Sequence, residues 1–96
     1  MTKQELVKAK REEILRLASQ HGATNVRVFG SVVLGQEDNE SDVDVLVETG
    51  PHTTAFFPGG LVADLEDLLG CRVDVVTEAA LHPYIRKRVL EEARPL

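Results

Sequence analysis

Several features that mark secreted, membrane or nucleic-acid-binding proteins are scarce or missing in this sequence. The chain of 96 residues has one cysteine, Cys71, so it cannot form an internal disulfide. No apolar run approaches the roughly 18 residues of a membrane-spanning helix, and the first residues lack the apolar segment of a signal peptide. Basic residues are outnumbered by acidic ones, 11 to 16, and the net charge of −5 argues against a nucleic-acid backbone as the main partner. We therefore expect a cytoplasmic protein that binds neither membranes nor, directly, nucleic acids.

The composition and the length of the chain are typical of one small globular domain. Apolar residues make up 43% of the chain and charged residues 28%, which are ordinary values for a globular protein. A chain of this length can enclose one hydrophobic core, and no internal repeat divides it. We predict a single domain over residues 1–96.

Hydrophobic periodicity predicts alternating helices and strands. A capping box formed by Thr2 and Glu5 begins an amphipathic helix that should end near residue 20 or 21. Further helices are predicted over residues 61–69 and 83–93, strands over residues 25–29, 42–48 and 71–77, and loops over residues 36–41 and 49–60. This order predicts an α/β (α+β) fold, a small mixed β-sheet of three to four strands with helices packed on one face.

The second predicted strand carries two aspartates on one side. Because successive side chains of a strand alternate between faces, Asp42 and Asp44 point one way, while Val43 and Val45 point the other. Two carboxylates about 7 Å apart at the backbone can converge, and they then repel by roughly 2 to 4 kcal/mol at an effective dielectric near 20. Magnesium would offset this repulsion, because this hard ion binds one or two carboxylates together with waters and phosphate oxygens. The sequence therefore predicts a magnesium site that includes nucleotide phosphates.

A glycine and a serine, Gly30 and Ser31, directly follow the first predicted strand. A glycine there lets the backbone approach a phosphate group and exposes N–H groups to it, and the serine hydroxyl adds a contact. The alternative is an ordinary turn between a strand and a helix.

A third aspartate, Asp74, lies inside the third predicted strand. A carboxylate in such a run of β-branched residues needs a partner or a function. If the third strand pairs with the second, Asp74 joins Asp42 and Asp44. A salt bridge from Asp74 to Arg72 or Arg27 is the alternative.

Five segments stand in order along the chain: Phe-Gly-Ser at 29–31, Ser-Asp-Val-Asp-Val-Leu-Val at 41–47, Leu-Leu-Gly at 68–70, Arg-Val-Asp-Val-Val at 72–76, and Arg-x-x-Val-Leu-Glu-Glu-Ala at 86–93. Together with the leading helix, they resemble the minimal nucleotidyltransferases of the polymerase β superfamily. The resemblance implies transfer of AMP from ATP to a hydroxyl group. It implies that Asp42 and Asp44 hold two Mg²⁺ ions, and that Gly30 and Ser31 hold the β- and γ-phosphates. It also implies that Asp74 binds one of those metals and helps to activate the acceptor hydroxyl.

The minimal members of this family resemble the antitoxin half of a two-gene toxin–antitoxin pair. Their partner is an all-helical HEPN ribonuclease, and AMP is placed on its tyrosine. The resemblance therefore implies a HEPN-family toxin encoded nearby as the partner. The apolar residues Phe56 and Phe57 in the loop at 49–60 either anchor that loop or contact a base or a partner, and a homodimer is the other assembly that we expect.

One segment departs from the family pattern. Many members carry arginine between the two glycines, whereas residues 32–34 are Val-Val-Leu in this chain. Either Arg27, Arg72 or the basic cluster at residues 86–88 replaces those contacts, or nucleotide binding is weak. Two alternatives therefore stay open: a catalytically inactive antitoxin that neutralises its partner by binding alone, and a structural metal site without a nucleotide.

Overall fold

The computed structural model describes residues 2–35, 42–51, 53 and 57–96. Within these ranges the elements follow in the order α1 (Lys3–Ala9), α2 (Arg11–Gln20), β1 (Ala23–Phe29), α3 (Ser31–Leu34), β2 (Val43–Thr49), α4 (Gly59–Leu69), β3 (Val73–Thr77), a 3-10 turn (Glu78–Ala80), α5 (Pro83–Glu92) and β4 (Arg94–Pro95). No helix in the described ranges is both long enough and apolar enough to cross a membrane. The predicted loop at residues 36–41 and the predicted role of Phe56 lie outside the described residues.

The described strands form one mixed sheet in the order β3-β2-β1-β4. β1 runs antiparallel to β2 and to β4, whereas β2 and β3 are parallel and are connected through α4. Parallel neighbours need such a crossover, because the chain must return to the edge at which the first strand began. β2 and β3 therefore begin at the same edge of the sheet, and β1 ends there.

The main core lies between one face of the sheet and the helices α1, α2 and α4. Val43, Val45 and Val47 of β2 point to this face and are at most 3% exposed. Leu61 and Leu65 of α4 belong to the same core and are at most 1% exposed. Burial of each such side chain contributes about 1.5–3 kcal/mol, so the valine side of β2 is firmly committed to the core.

The opposite face of the sheet carries a smaller core under α5. Leu46, which points away from its valine neighbours, is fully buried and clusters with Val89 and Ala93 at the C-terminal end of α5. The mixed sheet and its helical layer confirm the predicted fold class. The last helix, α5, adds a partial layer on the second face, next to the polar residues of that face.

Local signals in the sequence explain the ends of several elements. Thr2 caps α1 as predicted, since its hydroxyl accepts a hydrogen bond from the Glu5 N–H at 3.1 Å. The predicted first helix is interrupted at Lys10, where φ −102° and ψ 14° separate α1 from α2. Phe57 packs against the main core, which agrees with its interpretation as a loop anchor. The two-residue strand β4 was not predicted, because so short a segment has no periodicity.

Candidate active site

The predicted site residues lie at the edge of the sheet where β1 ends and where β2 and β3 begin. Phe29, the last residue of β1, is the register partner of Asp44. Asp44 is in turn the register partner of Asp74 in β3. Because neighbouring strands lie only about 4.8 Å apart, this pairing makes Asp44 and Asp74 direct neighbours although they are far apart in the chain. Gly30 follows Phe29 immediately and completes the same edge.

Asp42, Asp44 and Asp74 share the sheet face that lies opposite the main core. The intervening residues Val43 and Val73 are 1% and 6% exposed, which is the alternation that the sequence predicted. Asp42 and Asp44 are half-buried, and Asp74 is exposed. The structure thus brings the three aspartates to one surface, as expected if the second and third strands pair.

Gly30 fits closely against the carboxylate of Asp44. Its backbone has φ 77° and ψ −152°, a conformation that residues with a side chain rarely adopt. A Cβ at this position would collide with Asp44 Oδ2. The Gly30 carbonyl accepts hydrogen bonds from the N–H groups of Val33 and Leu34, each at 3.1 Å, and so begins α3, in which Ser31 is half-buried. Glycine is therefore required at position 30 for two reasons, its backbone conformation and its close approach to the Asp44 carboxylate.

The electrostatic environment of Asp44 is unfavourable for its charge. The pKa of Asp44 is raised from 3.8 to about 6, first by burial of the carboxylate and then by the negative charges of Asp74 and Asp42. A bound cation would favour the ionised form of Asp44 and so lower its pKa.

One arginine, Arg72, shares this surface with the carboxylates. Its Nε lies 3.2 Å from Asp42 Oδ1, and its carbonyl accepts a hydrogen bond from the Val43 N–H at 3.0 Å. Because Val43 and Val73 are register partners, Asp42 and Arg72 lie side by side directly before the two strands. The signal for this position was in the sequence, since Arg72 precedes Asp74 by two residues and therefore shares its face.

The alternative interpretation of Asp74 as a salt-bridge partner is not supported within the described residues. Arg72 pairs with Asp42 instead. The other arginine, Arg27, pairs with Glu78, and its NH1 lies 2.6 Å from Glu78 Oε1. Asp74 is thus an exposed carboxylate beside Asp44.

The chemistry of these side chains fits a divalent cation. Carboxylate oxygens are ligands for hard ions such as Mg²⁺, which needs only one or two of them and completes its shell with waters and phosphate oxygens. Among the described residues, no group of three or more His, Cys, Asp or Glu side chains is close enough to hold a metal ion as it stands. One or two of these aspartates would be enough for Mg²⁺, which does not need a complete protein cage.

Comparison with known proteins identifies the family. The model of the nucleotidyltransferase domain family matches residues 7–96. The protein adenylyltransferase MntA of Thermococcus cleftensis is 42% identical over 78 residues, which cover 79% of this chain and 77% of that protein. A solved structure described as a candidate minimal nucleotidyltransferase superposes with a TM-score of 0.87 and 46% identity, over 100% of this chain and 97% of the other.

A more distant structure extends the likeness in fold alone. It contains the tri-AMPylated HEPN toxin of Shewanella oneidensis in complex with the MNT antitoxin, and it matches with a TM-score of 0.66 and 20% identity, over 96% of this chain and 70% of the matched chain. The family match and the two closer relatives confirm the resemblance that the sequence motifs indicated. The chain therefore belongs to the nucleotidyltransferase domain family, and it is an enzyme of the nucleotidyltransferase type.

Proposed function

We propose that the protein is a magnesium-dependent adenylyltransferase that moves AMP from ATP to a hydroxyl group of a partner protein. The observation that carries this proposal is the contact of Gly30 with the Asp44 carboxylate, beside which Asp74 lies in register. A glycine turn and a pair of adjacent carboxylates thereby meet at one edge of the sheet. The family membership and the relative named as a protein adenylyltransferase support the same reaction type.

The residues of this edge divide into ligands for the nucleotide and ligands for the metal. Asp42 and Asp44 would hold two Mg²⁺ ions, which when bound would neutralise charge on the triphosphate and on the departing pyrophosphate. Gly30 and Ser31 would hold the β- and γ-phosphates, Gly30 through a close approach of its backbone and Ser31 through a hydrogen bond from its hydroxyl. The raised pKa of Asp44 supports a role beside a cation, because a cation would stabilise its ionised form.

The transfer exchanges one bond of the α-phosphorus for another. The acceptor oxygen attacks the α-phosphorus of ATP, the bond to the β-phosphate breaks, and pyrophosphate leaves. Asp74 would contact one of the metal ions and accept the proton of the acceptor hydroxyl. Its greater exposure, compared with Asp42 and Asp44, supports a position next to the acceptor.

We further propose that the acceptor is a tyrosine of a HEPN-family toxin and that this protein is its antitoxin. The relative from Thermococcus cleftensis is named as a protein adenylyltransferase, which supports a protein acceptor. The distant structure of the same fold contains a tri-AMPylated HEPN toxin bound to its MNT antitoxin. That pairing supplies the class of partner to test first.

The absence of basic side chains in α3 favours one second candidate function. Residues 32–34 are Val-Val-Leu, so the turn that begins at Gly30 carries no positive charge for the phosphates. If nothing replaced that charge, nucleotide binding would be weak. The protein would then be an antitoxin that neutralises its partner by binding alone.

The experiment that separates these functions follows covalent transfer. ATP labelled at the α-phosphate would be incubated with magnesium, the protein and the HEPN-family protein encoded beside it. We expect label to enter the partner with the wild type and to fall by at least about a hundredfold with Asp44→Asn, because the loss of one metal ligand removes several kcal/mol of charge stabilisation. Asp67→Asn is the matched control, because Asp67 is an exposed aspartate of α4 outside the acidic surface. A partner that forms a stable complex with wild type and Asp44→Asn alike, without label, would establish the binding-only function instead.

A further inference from the structure

We infer that Arg72 binds the triphosphate of the nucleotide and replaces the arginines that this chain lacks between Gly30 and Gly35. The inference rests on the proposed function, because it assigns a residue to the nucleotide of that reaction. Arg72 is the first residue of the Arg-Val-Asp-Val-Val segment at 72–76, in which the resemblance assigns a role only to Asp74.

The position of Arg72 follows from the register of the sheet. Arg72 stands two residues before Asp74, so both side chains belong to the same face of β3. It lies beside Asp42, which in turn stands two residues before Asp44 on β2. Arg72 is therefore a positively charged residue on the same face of the sheet as Asp42, Asp44 and Asp74. It lies at the edge of the sheet where Gly30 follows β1.

The exposure and the ion pairing of the Arg72 side chain suit a residue that binds phosphate. Its side chain is 75% exposed, and its described ion pair is the one from Nε to Asp42 Oδ1 at 3.2 Å. Exposed ion pairs of this kind are weak, so exchange of the Asp42 carboxylate for a phosphate costs little. A guanidinium group binds phosphate through two parallel N–H donors, and this geometry makes the exchange favourable. A cation held by Asp42 would compete with Arg72 for that carboxylate.

The other arginine near the sheet face is committed elsewhere. The side chain of Arg27 is only 12% exposed, and its NH1 lies 2.6 Å from Glu78 Oε1. Its Nε also donates a hydrogen bond to the Asn25 carbonyl at 3.1 Å. Moving Arg27 to a phosphate would break both contacts and leave Glu78 without this partner.

Two residues of the basic cluster of α5 are engaged in other contacts. Arg86 donates a hydrogen bond to the Glu78 carbonyl at 2.6 Å. Arg88 lies 3.8 Å from Glu92 one turn later. Neither contact involves Asp42, Asp44 or Asp74, whereas Arg72 pairs with Asp42 directly.

Two binding measurements test this assignment. The probes are α,β-methylene-ATP with Mg²⁺, titrated calorimetrically, and Mn²⁺ without a nucleotide, followed by the loss of its free paramagnetic signal. For Arg72→Ala we expect the dissociation constant of the nucleotide to rise about tenfold, because a charge-assisted contact is lost. We expect Mn²⁺ to bind as well as in the wild type or a few-fold more tightly, because Asp42 loses its competing cation. Arg72→Lys should recover part of the nucleotide affinity, since it keeps the charge but not the paired donors.

Arg88→Ala is the matched control. It removes an arginine that is 71% exposed in its side chain and that also pairs with a carboxylate, so the change in net charge and in surface is the same. We expect no change in either dissociation constant. The assignment would be overturned if Arg72→Ala and Arg88→Ala lost equal affinity for the nucleotide, or if Arg72→Ala kept the affinity of the wild type. It would also be overturned if Arg72→Ala lost affinity for both the nucleotide and Mn²⁺. Failure of the wild type to bind the nucleotide at all would instead overturn the proposed function, and the assignment with it.

Discussion

Replacement of Asp44 by asparagine should stabilise the folded protein at neutral pH while it lowers transfer at least about a hundredfold. The carboxylate is half-buried, lies against Gly30 and is in register with Asp74. Asparagine has nearly the same shape but carries no charge. The variant therefore removes the repulsion in the metal-free protein without leaving a cavity.

The size of the effect follows from the pKa of Asp44. A rise from 3.8 to about 6 is roughly 2.2 pH units, which at about 1.36 kcal/mol per unit corresponds to about 3 kcal/mol. Solvent screens part of this interaction because the side chain is only half-buried, so we expect about 1–2 kcal/mol. A change of this size is a large fraction of the stability of a small domain.

The dependence on pH has a definite sign. Because the pKa of Asp44 is higher in the folded protein than in the unfolded chain, its contribution to stability is fully present below about pH 3.8 and is lost as the pH rises through about 6. The advantage of Asp44→Asn over the wild type should therefore be largest near pH 7.5. It should fall by about half near pH 5.

Urea denaturation in the presence of a chelator, followed by circular dichroism, measures this difference. Wild type and Asp44→Asn would be compared near pH 7.5 and near pH 5. The lower value is suitable because the hydrogen bond from Arg27 lowers the pKa of Glu78, which therefore stays ionised in the folded protein. Asp67→Asn is again the control and should leave the free energy of unfolding within about 0.5 kcal/mol of the wild type. A variant that is no more stable than the wild type near pH 7.5, or whose advantage grows toward pH 5, would refute the reasoning.

Three further predictions test the same surface and the core beneath it. Gly30→Ala should lower the free energy of unfolding by about 1–3 kcal/mol more than Gly35→Ala in thermal melts, because Gly30 combines φ 77° and ψ −152° with a close approach to Asp44, whereas Gly35 has the left-handed φ 71° and ψ 20° and no described atom within 4 Å of its Cβ position; equal losses would contradict the contact. Addition of Mg²⁺ at about a hundred times its dissociation constant should stabilise the wild type by about 2.7 kcal/mol in urea titrations, and Asp44→Asn should lose most of this gain; an equal gain in both would place the ion elsewhere. Leu65→Ala should cost about 2–5 kcal/mol in urea, because Leu65 is 1% exposed in the main core, and should leave the affinity for Mn²⁺ unchanged in the folded variant; a parallel loss of both would show that the site depends on that core.

The sequence alone was sufficient to predict the features of this protein that depend on residues close together in the chain. Alternation along one strand is enough to put Asp42 and Asp44 on the face opposite Val43 and Val45, because the period of a strand is fixed by backbone geometry. The capping box at Thr2 is likewise local, since its donor and acceptor are only three residues apart. The motif order along the chain was sufficient to indicate the family, which the comparisons confirmed.

Which distant segments meet depends on tertiary contacts. The parallel pairing of β2 with β3 brings Asp74 beside Asp44, and the same register sets Arg72 beside Asp42 and not beside Asp74. The packing of α5 on the second face and the two-residue strand β4 also depend on contacts between distant segments. Periodicity shows which face of an element is apolar but not which element covers it, because strand order depends on how all the apolar faces are buried together. The polar face of each strand could therefore be predicted from that strand alone, whereas the assembly of these residues into one site depended on how the strands pair in the sheet.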